Sequence, residues 1–117
     1  MHRYKDLKVW QLSREFCSKI YMITGSFPTS EKFGLISQLR RATISIPSNI
    51  AEGASRNSNK DFSRFLEIAI GSAYEIETQL LICEDLKFIS KEESKALAVD
   101  IITIIKMLSK LKSTLKA

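Results

Sequence analysis

The 117-residue sequence contains one histidine, four glycines, two prolines and two cysteines, and each shortage removes a class of function. The single histidine, His2, lies at a terminus, where chains fray, so general-base catalysis by histidine has no seat. The Arg-then-His spacing of helical ribonuclease-like bundles is missing for the same reason. So are the Glu-x-x-His pairs that build di-metal sites in bundles. Glu75 and Glu77 remain, but on a helix they point about 200° apart and cannot share an ion. They read as solvated or ion-paired glutamates. Four glycines form neither phosphate-cradling spacing, G-x-G-x-x-G or G-x-x-x-x-G-K. Cys17 and Cys83 sit far apart in apolar helical patterns, where cysteine behaves as a small hydrophobe, so both read as reduced core residues. No catalytic residue, metal site or cofactor is expected, and the chain does not read as an enzyme.

Long apolar runs are lacking as well. The longest, Val99 to Leu108, is broken by Asp100, Thr103 and Lys106 and is too short for a bilayer core of roughly 30 Å. Met1 to Asp6 is polar and precedes no apolar stretch with a small-residue cleavage site, so no signal peptide is expected. No membrane association and a cytoplasmic location follow as expectations.

What is present is helical periodicity. The length suits one domain, 1–117, with one core. Val9, Leu12, Phe16, Ile20, Ile23 and Phe27 recur every three or four residues, with Asp6 as the N-cap and Gly25 with Phe27-Pro28 as the stop. A second helix is predicted to begin near Thr29 or Ser30, with Leu35, Leu39, Ala42, Ile46, Ile50 and Gly53 on its inner face. Pro47 removes the amide that would bond the Thr43 carbonyl. The apolar phase continues through it, so a kink is expected rather than a break.

The third helix opens on Ser58-Asn59-Lys60-Asp61, a capping box with Asp61 in the place of glutamate. Phe62, Phe65, Leu66, Ala69, Ile70, Ala73, Ile76, Leu80 and Cys83 follow. Gly71 lies inside it, at a cost of about 1 kcal/mol relative to alanine, which predicts a closely packed neighbour there. After a turn near Lys87 to Ile89, Ser90 and Glu93 form a full capping box for the fourth helix, whose stripe is Leu97, Ile101, Ile104, Leu108, Leu111 and Leu115. No segment alternates with a period of two. The predicted fold is all-α, an antiparallel up-and-down four-helix bundle with helix two kinked at Pro47.

Charge is unevenly spread over this pattern. Residues 1–60 hold ten Lys/Arg against four Asp/Glu, residues 61–100 four against nine, and residues 101–117 four lysines and no acid. Either contacts to nucleic acid or attraction between helices accounts for such a layout. On helix two, Gln38, Arg41, Ser45, Ser48, Asn49, Glu52 and Arg56 form a polar stripe opposite the apolar face. It is either a solvated face with a Glu52–Arg56 pair or a contact surface on which Arg40 and Arg41 offer forks to phosphate or carboxylate. Arg56, Lys60 and Arg64 form a second basic group near a helix N-terminus. Lys106, Lys110, Lys112 and Lys116 form a third. Such groups neutralise phosphates or simply confer solubility.

The runs Leu7-Lys8-Val9-Trp10-Gln11, Phe27-Pro28-Thr29-Ser30-Glu31-Lys32-Phe33-Gly34-Leu35, Gln38-Leu39-Arg40-Arg41-Ala42 and Ser45-Ile46-Pro47-Ser48-Asn49-Ile50-Ala51-Glu52-Gly53 carry a family likeness. With Phe62, Phe65, Leu66, Ile68 to Ser72, Glu75 and Leu80, the chain resembles the four-helix bundle proteins encoded in intervening sequences of bacterial large-subunit ribosomal RNA genes. The resemblance implies an antiparallel four-helix bundle, a ring-like homopentamer and no enzymatic activity. A related branch, the accessory proteins of diversity-generating retroelements, uses a basic barrel to bind nucleic acid and a reverse transcriptase.

The residues also carry surplus apolar surface. Ile44 and Ala51 lie off the inner stripe of helix two, and Ile102 and Ile105 widen that of helix four, as an oligomer interface would require. Five copies of a +5 chain carry about +25, a field that attracts RNA or single-stranded DNA. No basic run is interleaved with aromatics, so recognition of shape and backbone is expected rather than reading of bases. The function expected is an oligomeric accessory protein that binds RNA or another nucleic acid. The alternative is a scaffold that docks an acidic protein partner, such as a reverse transcriptase or a ribosomal component.

Overall fold

The structure, a computed structural model, describes residues 3–115; His2 and Lys116 lie outside them. Four helices, α1 (Lys8–Thr24), α2 (Leu35–Ala54), α3 (Asn59–Asp85) and α4 (Lys91–Ser113), fill a body of 45 × 24 × 20 Å. Among the described residues there is no strand. Antiparallel packing is fixed by pairs that reach across neighbouring helices. Ser45 meets Ser72 at 2.9 Å and Gln38 meets Gln79 at 3.3 Å, seven residues earlier on α2 and seven later on α3. Consecutive helices pack side by side, and α1 closes the square against α4 most loosely.

The apolar stripes turn inward as the spacing predicts. Phe16, Ile20, Leu39, Ile46, Ile50, Leu66, Ile76, Ile101, Ile104 and Leu108 are completely or almost completely buried in one core. Ile105 joins them at 8% exposure, so it serves the core and not the outer surface, whereas Ile44 and Ile102 are 44% and 39% exposed.

Two helix starts differ from the sequence reading. Asp6 is not the cap of α1. It lies in a 3-10 turn, Tyr4–Asp6, with its carboxylate 3.4 Å from Arg3, and Leu7 takes the cap position. Burial decides this boundary: Tyr4 stacks edge-on against Trp10 at 5.1 Å, and both pack on the core with Leu7. Thr29 and Ser30 likewise form a separate 3-10 turn, and α2 begins six residues after Thr29. Its first amide, Leu35 N–H, donates to the Glu31 carboxylate at 3.3 Å, so a side chain from outside the helix does the capping. The other two starts follow the sequence. Ser58 accepts from the Asp61 amide, and Ser90 with Glu93 forms the reciprocal box.

α2 runs through Pro47 as one helix. The Thr43 carbonyl, deprived of the amide at position 47, accepts from the Cys17 thiol at 3.3 Å. At the other end of the bundle α3 closes on a Schellman motif. Lys87 stands at φ 63°, Phe88 N–H bonds the Cys83 carbonyl and Lys87 N–H bonds that of Glu84.

The close approach expected at Gly71 occurs instead at Gly53. A methyl group on Gly53 would lie 2.6 Å from Phe65 Cβ and 2.9 Å from Phe62 Cδ1, while nothing comes within 4 Å of one on Gly71. Gly71 faces outward from α3, and Gly53 marks the point where the α2–α3 turn brings the two helices together.

Candidate nucleic-acid interface

Three residues of the polar stripe of α2, Gln38, Ser45 and Asn49, are drawn into a seam with α3. Ser45 is shared between Ser72 and Asn49, whose Nδ2 donates to both the Ser45 carbonyl at 2.7 Å and its hydroxyl at 2.9 Å. Gln79 Nε2 donates to Gln38 Oε1 at 3.3 Å and to Glu75 Oε2 at 3.2 Å, which leaves the buried Gln79 Oε1 without a hydrogen bond among the described residues. Gln79 escapes a reading of α3 alone. Its signal is the antiparallel register, which carries the Ser45–Ser72 pairing seven residues back on α2 to Gln38. Glu52 pairs with Arg56 at 3.0 Å. Arg41 and Ser48 remain exposed.

The adjacent arginines of α2 have different fates. Arg40 Nε donates to Thr24 Oγ1 at 2.9 Å, its Nη2 donates to the Tyr21 carbonyl, and its guanidinium lies 4.4 Å from the Tyr21 ring centre. It ties α2 to the last turn of α1, adding a bond to a Tyr21 carbonyl that already accepts from the Gly25 amide. Arg41, one residue on, is exposed and has no ion pair among the described residues.

Around the α2–α3 turn the structure gathers Arg56 and Arg64 into one depression of about 590 Å³, lined also by Asp61, Phe65, Glu67 and Ile68. Arg56 lies 4.8 Å over the Phe65 ring, and Arg64 is 3.5 Å from Asp61. Lys60 stands one turn before Arg64 and is exposed. Sequence reading assigns Phe65 to the core stripe. The ring is half-buried, and its outer part supports the guanidinium of Arg56, so folding supplies the interleaving of base and aromatic that the linear sequence lacks. From α4, Lys112 reaches Glu67 at 3.2 Å, while Lys106 and Lys110 lie one turn apart on the outer face without an ion pair among the described residues.

These groups are concentrated in one half of the bundle. Cut across the middle of the helices, the half that holds the α2–α3 turn comprises residues 3–16, 45–72 and 102–115, with ten Lys/Arg against five Asp/Glu. The other half, residues 17–44 and 73–101, has seven against eight. Arg40 and Arg41 belong to this second half, well apart from Arg56, Lys60, Arg64, Lys106 and Lys110.

The two cysteines are free thiols. Burial pushes the Cys17 thiol up, against the opposing effect of its contact with Thr43. Burial, and then the charge of Glu31, raise Cys83 to about 11. Both are therefore protonated at neutral pH, and neither is a reactive thiolate. Among the described residues no three His, Cys, Asp or Glu side chains gather as a metal cage requires, and no helix is long and apolar enough to cross a membrane.

A family model described as 23S rRNA-intervening sequence protein matches residues 5–110. The chain belongs to that family. A solved structure from Bacteroides thetaiotaomicron, of a protein with unknown function from the S23 ribosomal protein family, superposes with a TM-score of 0.80 at 28% identity. The match covers 89% of this chain and 97% of that one. Among curated proteins, none matches the chain. The helical run shared with the family thus takes in α1 to α3 and most of α4, including the depression beside the α2–α3 turn.

Proposed function

We propose that this member of the 23S rRNA-intervening sequence protein family is a non-enzymatic accessory protein of the bacterial cytoplasm that binds RNA, or another nucleic acid, through the basic half of its bundle. The observation that carries the reading is the excess of basic over acidic residues in that half. Lys60, Lys106 and Lys110 stand exposed in the half that has ten basic residues against five acidic ones. A phosphate backbone is the partner that such a surface neutralises best, and the affinity it gives is sequence-tolerant and salt-dependent.

The protein acts in this reading as a homo-oligomer, a pentamer. Ile44 and Ile102, 44% and 39% exposed, supply apolar surface for contacts between copies. Repetition of the basic half around a ring multiplies its field.

Titration of a structured RNA at two salt concentrations tests the reading. Neutralising three phosphates costs on the order of 40-fold in affinity for a fourfold rise in salt. Salt-insensitive binding, or none, overturns the proposal. Light scattering gives the number of subunits directly, and a monomer would remove the ring. The alternative, docking of an acidic protein partner such as a reverse transcriptase or ribosomal component, is favoured by Ile68, an apolar side chain 52% exposed beside Arg64. It predicts binding that Ile68→Asp abolishes in low salt.

A further inference from the structure

We infer that the depression beside the α2–α3 turn takes one unpaired nucleobase, stacked on the outer face of the Arg56 guanidinium, so that the chain selects single strands over duplex. This rests on the nucleic-acid reading and names what that surface recognises.

The charges around the depression are already engaged. Each guanidinium already has a carboxylate: Glu52 at 3.0 Å from Arg56 and Asp61 at 3.5 Å from Arg64. Glu67 adds a third carboxylate to the vicinity and engages Lys112. A phosphate placed inside would face three carboxylates and displace two ion pairs. Lys60, Lys106 and Lys110, which have no such partners among the described residues, are better placed to receive the backbone. The depression itself is suited to something flat and uncharged.

The shape of the site agrees. Arg56 is held by two contacts, the Phe65 ring, 4.8 Å from its centre, and the Glu52 carboxylate at 3.0 Å. A guanidinium has two faces. Phe65 lies on one side of it, and the Arg56 side chain, 45% exposed, keeps access to solvent. Bases stack on guanidinium planes and aromatic rings in single-stranded recognition. Phe65 and Ile68 give the depression an apolar wall, and the free lone pairs of Asp61 and Glu67 can accept from amino groups on a base edge. At about 590 Å³ the space holds a purine with room for its sugar. A base within a duplex presents only its edges, so the site requires an unpaired one.

The test compares a single-stranded oligoribonucleotide carrying 2-aminopurine with the same strand with abasic positions, which keeps every phosphate, and with the corresponding duplex, which has two backbones but no unpaired base. Wild-type protein and Arg56→Lys, which keeps the charge and loses the plane, are titrated with each at two salt concentrations. Stacking is worth roughly tenfold per base, so the intact strand should bind about tenfold more tightly than the abasic one, with quenching of 2-aminopurine. Arg56→Lys should erase that difference and leave the salt dependence unchanged. Equal, salt-dependent affinity for the intact and abasic strands, or a duplex bound more tightly than the intact strand, would overturn the base site and leave the electrostatic reading standing. Discrimination that persists in Arg56→Lys would also overturn it, since the base would then sit elsewhere. If no strand binds, both readings fail together.

Discussion

Pro47 deprives the Thr43 carbonyl of its amide, and the thiol of Cys17 on the neighbouring helix replaces it at 3.3 Å. A proline in the interior of a helix ordinarily costs about 3 kcal/mol, part of it from the carbonyl left bare. The two residues should therefore be coupled. Cys17→Val keeps the packing and removes the donor, and should destabilise by about 1–2 kcal/mol. In a Pro47→Ala background the helix recovers its own amide, and the same substitution should cost about 1 kcal/mol less. Urea unfolding of the four proteins closes the cycle, and additive effects would show that the thiol is not the replacement. The other cysteine gives a pH dependence. The folded protein holds the Cys83 thiol near 11, above its ordinary value of 9.0, so the neutral form is favoured in the fold. That contribution is complete below pH 9 and is lost as pH rises toward 11. Between pH 8 and pH 10 the wild type should lose roughly 1.4 kcal/mol more stability than Cys83→Ala, measured by denaturant unfolding.

At the scale of the helices, the two interior glycines make opposite predictions. Gly53→Ala gains about 1 kcal/mol in helix propensity but drives a methyl group into Phe65 and Phe62, and should destabilise by about 1–3 kcal/mol overall. Gly71→Ala meets nothing and should stabilise by up to about 1 kcal/mol. Thermal unfolding separates them by sign. The contrast also marks where sequence reading stops. The inner faces of α3 and α4 are legible because a 3.6-residue period with a capping serine at its head admits one arrangement, and Phe62, Leu66, Leu97 and Ile101 are buried as that period requires. The starts of α1 and α2 are not, because Asp6 and Thr29 have the right chemistry for a cap but compete with burial of Tyr4 and Leu7 and with the reach of Glu31. Which glycine is crowded depends on the neighbour across the seam. The candidate site shows the same limit: the clusters of Arg56, Lys60, Arg64 and Lys106 can be read from spacing, while the retreat of Arg40 onto Thr24 and the approach of Arg56 to Phe65 arise only from packing.

For the molecule as a whole, the question is whether net charge or its placement governs binding. A net charge of +5 attracts any polyanion to some degree, and over distances beyond about 8–10 Å salt screens the difference between the two halves. At contact the halves differ greatly, since one has twice as many basic as acidic residues and the other is nearly balanced. Two double substitutions make the comparison clean because each lowers the net charge equally. Lys106→Glu with Lys110→Glu alters the outer face of α4 in the basic half, and Lys91→Glu with Lys95→Glu alters the same helix at its other end. Placement predicts that the first pair weakens RNA binding by more than about tenfold and reduces the slope of log affinity against log salt by about 1.8, the share of two phosphates. The second pair should leave that slope intact and shift affinity by no more than about threefold, the residual of long-range attraction. Equal losses in both variants would mean that the bundle acts as a uniformly charged body, and the assignment of a binding half would have to be abandoned.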